Sequence, residues 1–261
     1  MIVPFALQII VGLFVAGEGV AQDTFTMASK VLGETRVINV YTPPAYDSIA
    51  GSACRVLYMP DGGTAEDFPH ISNAIDSLIG LGKIGPVMVV GIENTERRRD
   101  LTGPTIVPSD STIAPRVGGS AAFRDFIRDE LMPEIGARYR CTGRTAIVGE
   151  SLAGLFVVET FLLEPDLFDA YIALSPSLWW NGGELVRTAG DRIEALAGEE
   201  RTLYLASADE PEIVAATAEL ADTLSARAPS GLTLHHEPRP DLQHGTIFRG
   251  AAPGAFAKVL R

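Results

Sequence analysis

One short stretch constrains this chain more than any other. The apolar run Thr145–Val148 enters Gly149-Glu150-Ser151-Leu152-Ala153-Gly154 without a break, and Leu155–Leu163 continues apolar almost all round. Such a pattern reads as a buried strand, a sharp turn and a buried helix. A turn that tight needs small residues two before and two after the serine, so that strand and helix can approach, and it holds the serine strained with its hydroxyl exposed. Gly149 and Ala153 meet that demand, with Ala153 adding one methyl where the pattern has a second glycine. A helix N-cap serine is the alternative role.

Strands and helices alternate around this turn. Hairpin-like runs at Thr24–Leu32 and Arg36–Tyr41 come first, turning at Gly33-Glu34 and stopping at Pro43-Pro44. Strands are predicted at Arg55–Met59, Pro86–Ile92, Tyr171–Leu174, Thr202–Ala206 and Leu232–His236. Helices are predicted from Phe68, Ile71, Ala74, Ile75 and Leu78, and from Phe123, Phe126, Ile127, Leu131 and Ile135, where Pro133 bends or ends the last turn. Further helices are expected at Glu184–Leu196, Ile213–Ala226 and Phe248–Leu260, and Thr95–Gly119 reads as a long polar loop. The expected fold is α/β: a mostly parallel sheet of about eight strands, helices on both faces, an N-terminal antiparallel hairpin and no separate cap. No repeat or second composition zone divides residues 22–261, which read as one domain.

Residues 1–21 read as a signal peptide. Met1 to Gly17 carries no charge, Ile9–Val15 is apolar, and Gly19 and Ala21 stand before a cleavage at Gln22. The usual basic start is missing, since Lys30 is the first basic residue. The expectation is a secreted or periplasmic protein with no stable membrane insertion once the signal is removed. Hydrophobic residues at 46 % and charged residues at 21 % leave enough apolar surface for a sizeable core. With 33 acidic against 21 basic side chains the net charge is −12, which argues against a nucleic-acid partner. The two cysteines are too few for a disulfide scaffold or a four-cysteine zinc site, and no metal or cofactor is expected.

A serine hydroxyl attacks only when a base takes its proton, usually a histidine oriented by a carboxylate. Of four histidines, His70 falls in a helix and His235 and His236 in a strand. His244 follows the last strand on a loop before the last helix, at the sheet edge where catalytic groups gather. The acid belongs between Ser151 and His244 in chain order, after a strand. Ser207-Ala208-Asp209-Glu210-Pro211-Glu212 offers three acids, of which Glu210 is favoured and Asp209 is the alternative; their other role is to complement the next helix dipole. The N–H of Leu152 and that of Gly63, in Asp61-Gly62-Gly63 after the third strand, are the expected oxyanion donors.

At this point the chain resembles the α/β-hydrolase branch called the putative esterase, or esterase D-like, family, from about Ser29 to the C-terminus. The resemblance rests on Val56-Leu57-Tyr58-Met59-Pro60-Asp61-Gly62, Arg98-Arg99-Asp100-Leu101-Thr102, Gly149–Leu155, Ser175-Pro176-Ser177-Leu178-Trp179-Trp180 and His244. It implies a serine esterase with no cofactor, acting on a small-molecule ester. The serine, the histidine and the two N–H donors carry over onto Ser151, His244, Leu152 and Gly63, while the acid varies in position between branches. The Asp-Glu-Pro and Ser-Pro-Ser-Leu-Trp-Trp strings look closest to its siderophore-esterase side. An acyltransferase, and a non-catalytic ligand-binding protein of the same fold, are the rival readings.

Three further expectations concern the surroundings. Trp179 and Trp180 are candidates to line a pocket, or else to cap the core. Arg97, Arg98 and Arg99 are candidates to grip a substrate anion, Arg98 and Arg99 foremost, or else to pair with Asp100. Cys54 and Cys141 lie on strands that are neighbours in an α/β-hydrolase sheet, which makes them a candidate disulfide in an exported protein.

Overall fold

The computed structural model describes residues 22–44, 46–48, 54–193, 200–227 and 230–261. The expected signal segment therefore lies outside the described residues, as does Leu196, the expected end of one helix. The strands are β1 (Gln22–Ser29), β2 (Glu34–Tyr41), β3 (Cys54–Pro60), β4 (Val87–Ile92), β5 (Cys141–Glu150), β6 (Ala170–Leu174), β7 (Arg201–Ser207) and β8 (Leu232–Pro238). They form one sheet in the order β1-β2-β4-β3-β5-β6-β7-β8. β1 and β2 pair antiparallel, β2 runs antiparallel to β4, and every other pairing is parallel.

The helices are α1 (Phe68–Gly80), α2 (Arg97–Asp100), α3 (Ser120–Phe126), α4 (Met132–Arg138), α5 (Leu152–Leu163), α6 (Trp180–Arg192), α7 (Pro211–Arg227) and α8 (His244–Val259). Central strands are apolar on both sides because each side faces a helical layer. Val56, Tyr58 and Ile147 point into a core with Phe123, Phe156 and Leu220, and so with α3, α5 and α7. Leu57, Met59 and Val148 point the other way, to Phe68, Ile71, Ile247 and Phe256 of α1 and α8. Among the described residues no helix is long and apolar enough to cross a membrane.

Three local departures have physical reasons. Pro133 does not end its helix: a π turn over Ile127–Leu131 joins α3 to α4, and Pro133 falls in the first turn of α4. The wider turn accommodates a ring that lacks an N–H. The loop after β4 is not wholly irregular, since α2 and a 3₁₀ turn at Asp110–Thr112 lie within it. The last helix starts earlier than its apolar spacing indicates, so His244 opens α8 instead of preceding it on a loop. Gln243 makes that start, its side chain accepting from the Thr246 N–H while its own N–H donates to Thr246 Oγ1 at 3.0 Å.

Cys54 and Cys141 are register partners across the β3–β5 ladder. Cys54 is buried, whereas the side chain of Cys141 lies outside the described residues. At the opposite end of β3, Gly62 runs against β4: a Cβ there would lie 2.3 Å from Gly91 Cα and 2.3 Å from Ile92 N. Backbone on both sides leaves nothing to swing away. Gly62→Ala is therefore expected to cost roughly 2–3 kcal/mol of stability, read as a lower urea midpoint at unchanged slope.

Candidate active site

Three central strands end at one edge of the sheet, and each passes into a non-glycine residue at positive φ. These are Asp61 after β3 (φ 56°), Ser151 after β5 (φ 60°) and Ser175 after β6 (φ 41°). Strain of this kind persists only where surrounding structure enforces it. At Ser151 the enforcement is visible. Gly149 lies so close to α5 that a Cβ would sit 2.5 Å from the Ala153 carbonyl, and the Ser151 N–H donates to the Leu174 carbonyl at 3.1 Å. The Ser177 N–H in turn donates to the Ser151 carbonyl at 3.0 Å. The serine is thus the pivot between β5 and α5, and its backbone is held by the end of β6 and the loop that follows it.

His244 reaches this pivot from α8. Its Nε2 stands 3.0 Å from Ser151 Oγ, and its Nδ1 stands 2.7 Å from Glu210 Oε2. A carboxylate at Nδ1 keeps the proton there and leaves the Nε2 lone pair for the serine hydroxyl. The structure separates the two candidate acids. Glu210 turns toward the histidine, while the neighbouring Asp209 is exposed and its backbone N–H is bonded to the Leu242 carbonyl at 2.9 Å. The other histidines stand apart: His70 packs edge-on against Phe248 at 5.1 Å, and His235 lies beside Tyr204 on the edge strand β8.

The expected oxyanion donors divide. The Leu152 N–H belongs to the first residue of α5 and has no acceptor within the helix. The Gly63 N–H departs from expectation, because it donates to Glu66 Oε2 at 2.7 Å while the Glu66 N–H closes the turn onto the Gly63 carbonyl at 2.9 Å. An acid three residues after a glycine turn, Glu66 after Gly63, is the sequence signal for this cap. Asn94 fastens the same turn, donating to Glu66 Oε1 at 2.8 Å and to Asp61 Oδ1 at 2.6 Å.

The arginines and tryptophans sort by what they touch. Arg99 borders the same groove as Arg98 and is bonded to Glu34 at 2.7 and 3.0 Å and to Asp100 at 2.6 Å. Chiefly through its hydrogen bond to Arg99, the Glu34 carboxyl is held down to about 2. Buried Asp100 also pairs with fully buried Arg36, so neutralising Asp100 and Glu34 is what fixes Arg99. Arg98 is exposed, with one bond to the Ile113 carbonyl at 2.7 Å, and it lines a groove of about 510 Å³ together with Arg97 and Arg116. Arg97, beside Arg98, binds Asp61 through two nitrogens at 2.6 and 2.8 Å. Trp180 is largely a core residue, and its remaining edge borders a cavity of about 230 Å³ with Gly103, Leu155 and Asn181. It is 4 % exposed and its indole N–H donates to the Gly103 carbonyl at 2.9 Å, pinning the loop after α2. Trp179, 41 % exposed, lines a recess of about 430 Å³ with Asp209, Glu210 and Ile213.

Two groups near the serine were not singled out in the sequence. Ser177 Oγ stands 3.4 Å from Ser151 Oγ. Glu150, inside the tight turn itself, places Oε1 3.1 Å from His244 Nε2. Burial pushes the Glu150 carboxyl up to about 7, against the pull of His244 and Arg97. Among the described residues no cluster of His, Cys, Asp and Glu could hold a metal ion.

A sheet in this order, with a strained serine after β5 and a histidine and acid after the later strands, defines an α/β hydrolase. The chain belongs to the family described as Putative esterase, whose model matches residues 29–218. It is 42 % identical over 109 residues to the ferri-bacillibactin esterase BesA of Bacillus subtilis, a match covering 37 % of this chain and 38 % of that protein. A second match, 41 % identical over 90 residues, is to a siderophore triacetylfusarinine C esterase of Aspergillus fumigatus and covers 33 % of this chain and 29 % of that protein. The chain thus matches only about a third of the length of these curated relatives. Among solved structures, an IroE-like serine hydrolase from Shewanella oneidensis superposes with a TM-score of 0.84 at 28 % identity, covering 91 % of this chain and 79 % of that one. A Bacillus cereus BES protein gives 0.79 at 22 % identity over 98 % of both chains, a likeness of fold.

Proposed function

We propose that this chain is a serine esterase that cleaves a small carboxylic ester of the siderophore type through an acyl-enzyme. One observation carries the reading: His244 spans Ser151 and Glu210 with 3.0 and 2.7 Å contacts on its two ring nitrogens. The relay follows from that geometry. Ser151 Oγ attacks the ester carbonyl as its proton passes to His244 Nε2, and the Glu210 carboxylate stabilises the imidazolium that forms. Negative charge on the former carbonyl oxygen meets the Leu152 N–H at the start of α5, where the helix dipole also favours it. The imidazolium then protonates the departing alcohol, and the same histidine draws a proton from the water that resolves the acyl-enzyme. The siderophore-type substrate is supported by the BesA and triacetylfusarinine C esterase matches, and by the groove with exposed Arg98.

The test is treatment of the protein with a fluorophosphonate and location of the adduct by mass spectrometry. An adduct confined to Ser151 is expected, and a folded protein that gains none would remove the esterase reading. The choice of acid is checked alongside it. Glu210→Gln is expected to lower aryl-ester turnover by about 10²-fold or more, and Asp209→Asn to leave it within about two-fold. The reverse pattern would move the orienting role to Asp209.

A further inference from the structure

We propose that Glu150 and His244 hold one proton between them in the resting protein, and that Ser151 becomes nucleophilic only when that proton has left. The inference rests on the Ser151–His244–Glu210 relay above and adds a fourth, positioning member to it.

Geometry carries the argument. His244 Nε2 has one in-plane lone pair or proton, and Ser151 Oγ at 3.0 Å takes that direction. Glu150 Oε1 lies beside the same nitrogen at 3.1 Å, yet it is buried and has no hydrogen-bond partner among the described residues. With both groups deprotonated, two lone-pair-bearing atoms would face each other at 3.1 Å. A proton on either one turns that contact into an attraction. The surrounding charges leave the balance with the pair. Asp61 and Asp67 disfavour a negative charge at Glu150, while Arg97, which favours it, is also bonded to Asp61 through two hydrogen bonds. Burial adds to this, pushing the Glu150 carboxyl up to about 7.

The step balances on a single proton. It leaves the pair for solvent and no other bond changes. The Nε2 lone pair then accepts the Ser151 proton during attack, and the Glu150 carboxylate left beside it stabilises the new imidazolium. Reactivity therefore rises with pH as the pair empties and falls as acid refills it.

The experiment is the pH dependence of fluorophosphonate labelling at Ser151, in the wild-type protein and in Glu150→Gln. Glutamine keeps the shape and removes the charge. Its profile is expected to rise at a pH lower by about one unit or more, with a lower plateau rate. A lower plateau with an unmoved midpoint would make Glu150 merely structural and overturn the inference. A second readout uses the wild-type protein alone, through the ¹³C signal of the Glu150 carboxyl. It is expected to titrate near neutral pH, at about 7. A carboxyl that titrates in one step below about pH 5 would equally overturn the inference. Failure of the esterase reading looks different: Ser151 stays unlabelled at every pH, and the ¹³C titration alone then decides the shared proton.

Discussion

Ser151→Ala is expected to lower hydrolysis of an activated aryl ester by about 10³-fold or more, without loss of the fold. The hydroxyl is the attacking group that His244 Nε2 contacts at the pivot; what survives its removal is the Leu152 N–H and the bare pocket, which bind and polarise a carbonyl but cannot open it. The side chain contributes little to packing, since its neighbours are His244 Nε2 at 3.0 Å and Ser177 Oγ at 3.4 Å. A companion substitution separates chemistry from strain. Ser151 is held at φ 60° and ψ −119°, a conformation that only glycine adopts without cost. Ser151→Gly is expected to be as inactive as Ser151→Ala yet more stable than it by about 1 kcal/mol. Turnover of either variant close to wild type would exclude Ser151 as the nucleophile.

Removal of the base is expected to be comparably damaging. His244→Ala should reduce turnover by about 10²–10⁴-fold, the usual worth of a positioned general base. His70→Ala and His235→Ala serve as controls with separate consequences. His70 is packed on Phe248, so its loss lowers stability, and His235 sits on the edge strand beside Tyr204. Both variants should turn over ester within a few-fold of wild type once corrected for folded fraction. Equal losses at His244 and at either control, in folded proteins, would place the base elsewhere.

Much of this was legible before any coordinates. The strand Thr145–Val148 followed at once by a small-residue turn and an apolar helix left Ser151 few other roles, because that pattern is local and its cost is steric. His244 followed from chain order and from the habit of parallel sheets to gather loops at one edge. Other assignments were beyond reach. Asp209 and Glu210 are adjacent acids with the same chemistry, and only the path of the chain after β7 turns one to the histidine and the other to water. Arg99 is bonded to Glu34, 65 positions earlier, a pairing that no local pattern indicates. Trp180 belonged to an aromatic pair, yet its indole reaches the Gly103 carbonyl, 77 positions away. Glu150 carries no local signal of a role, since nothing in the turn indicates that His244, far along the chain, returns to its side.

The sequence by itself determined the alternation of strands and helices, the sharp turn at Ser151 and the order of nucleophile, acid and base. Those are set by short-range sterics and by hydrophobic periodicity, which act within a few residues. The tertiary structure alone decided which carboxylate meets His244, that Glu66 caps Gly63, that Arg99 pairs with Glu34, and that Glu150 stands beside the base with Ser151. These are pairings between distant segments brought to one sheet edge. Their outcome depends on ångström-scale distances and on which buried charges must neutralise one another, quantities that no local pattern encodes.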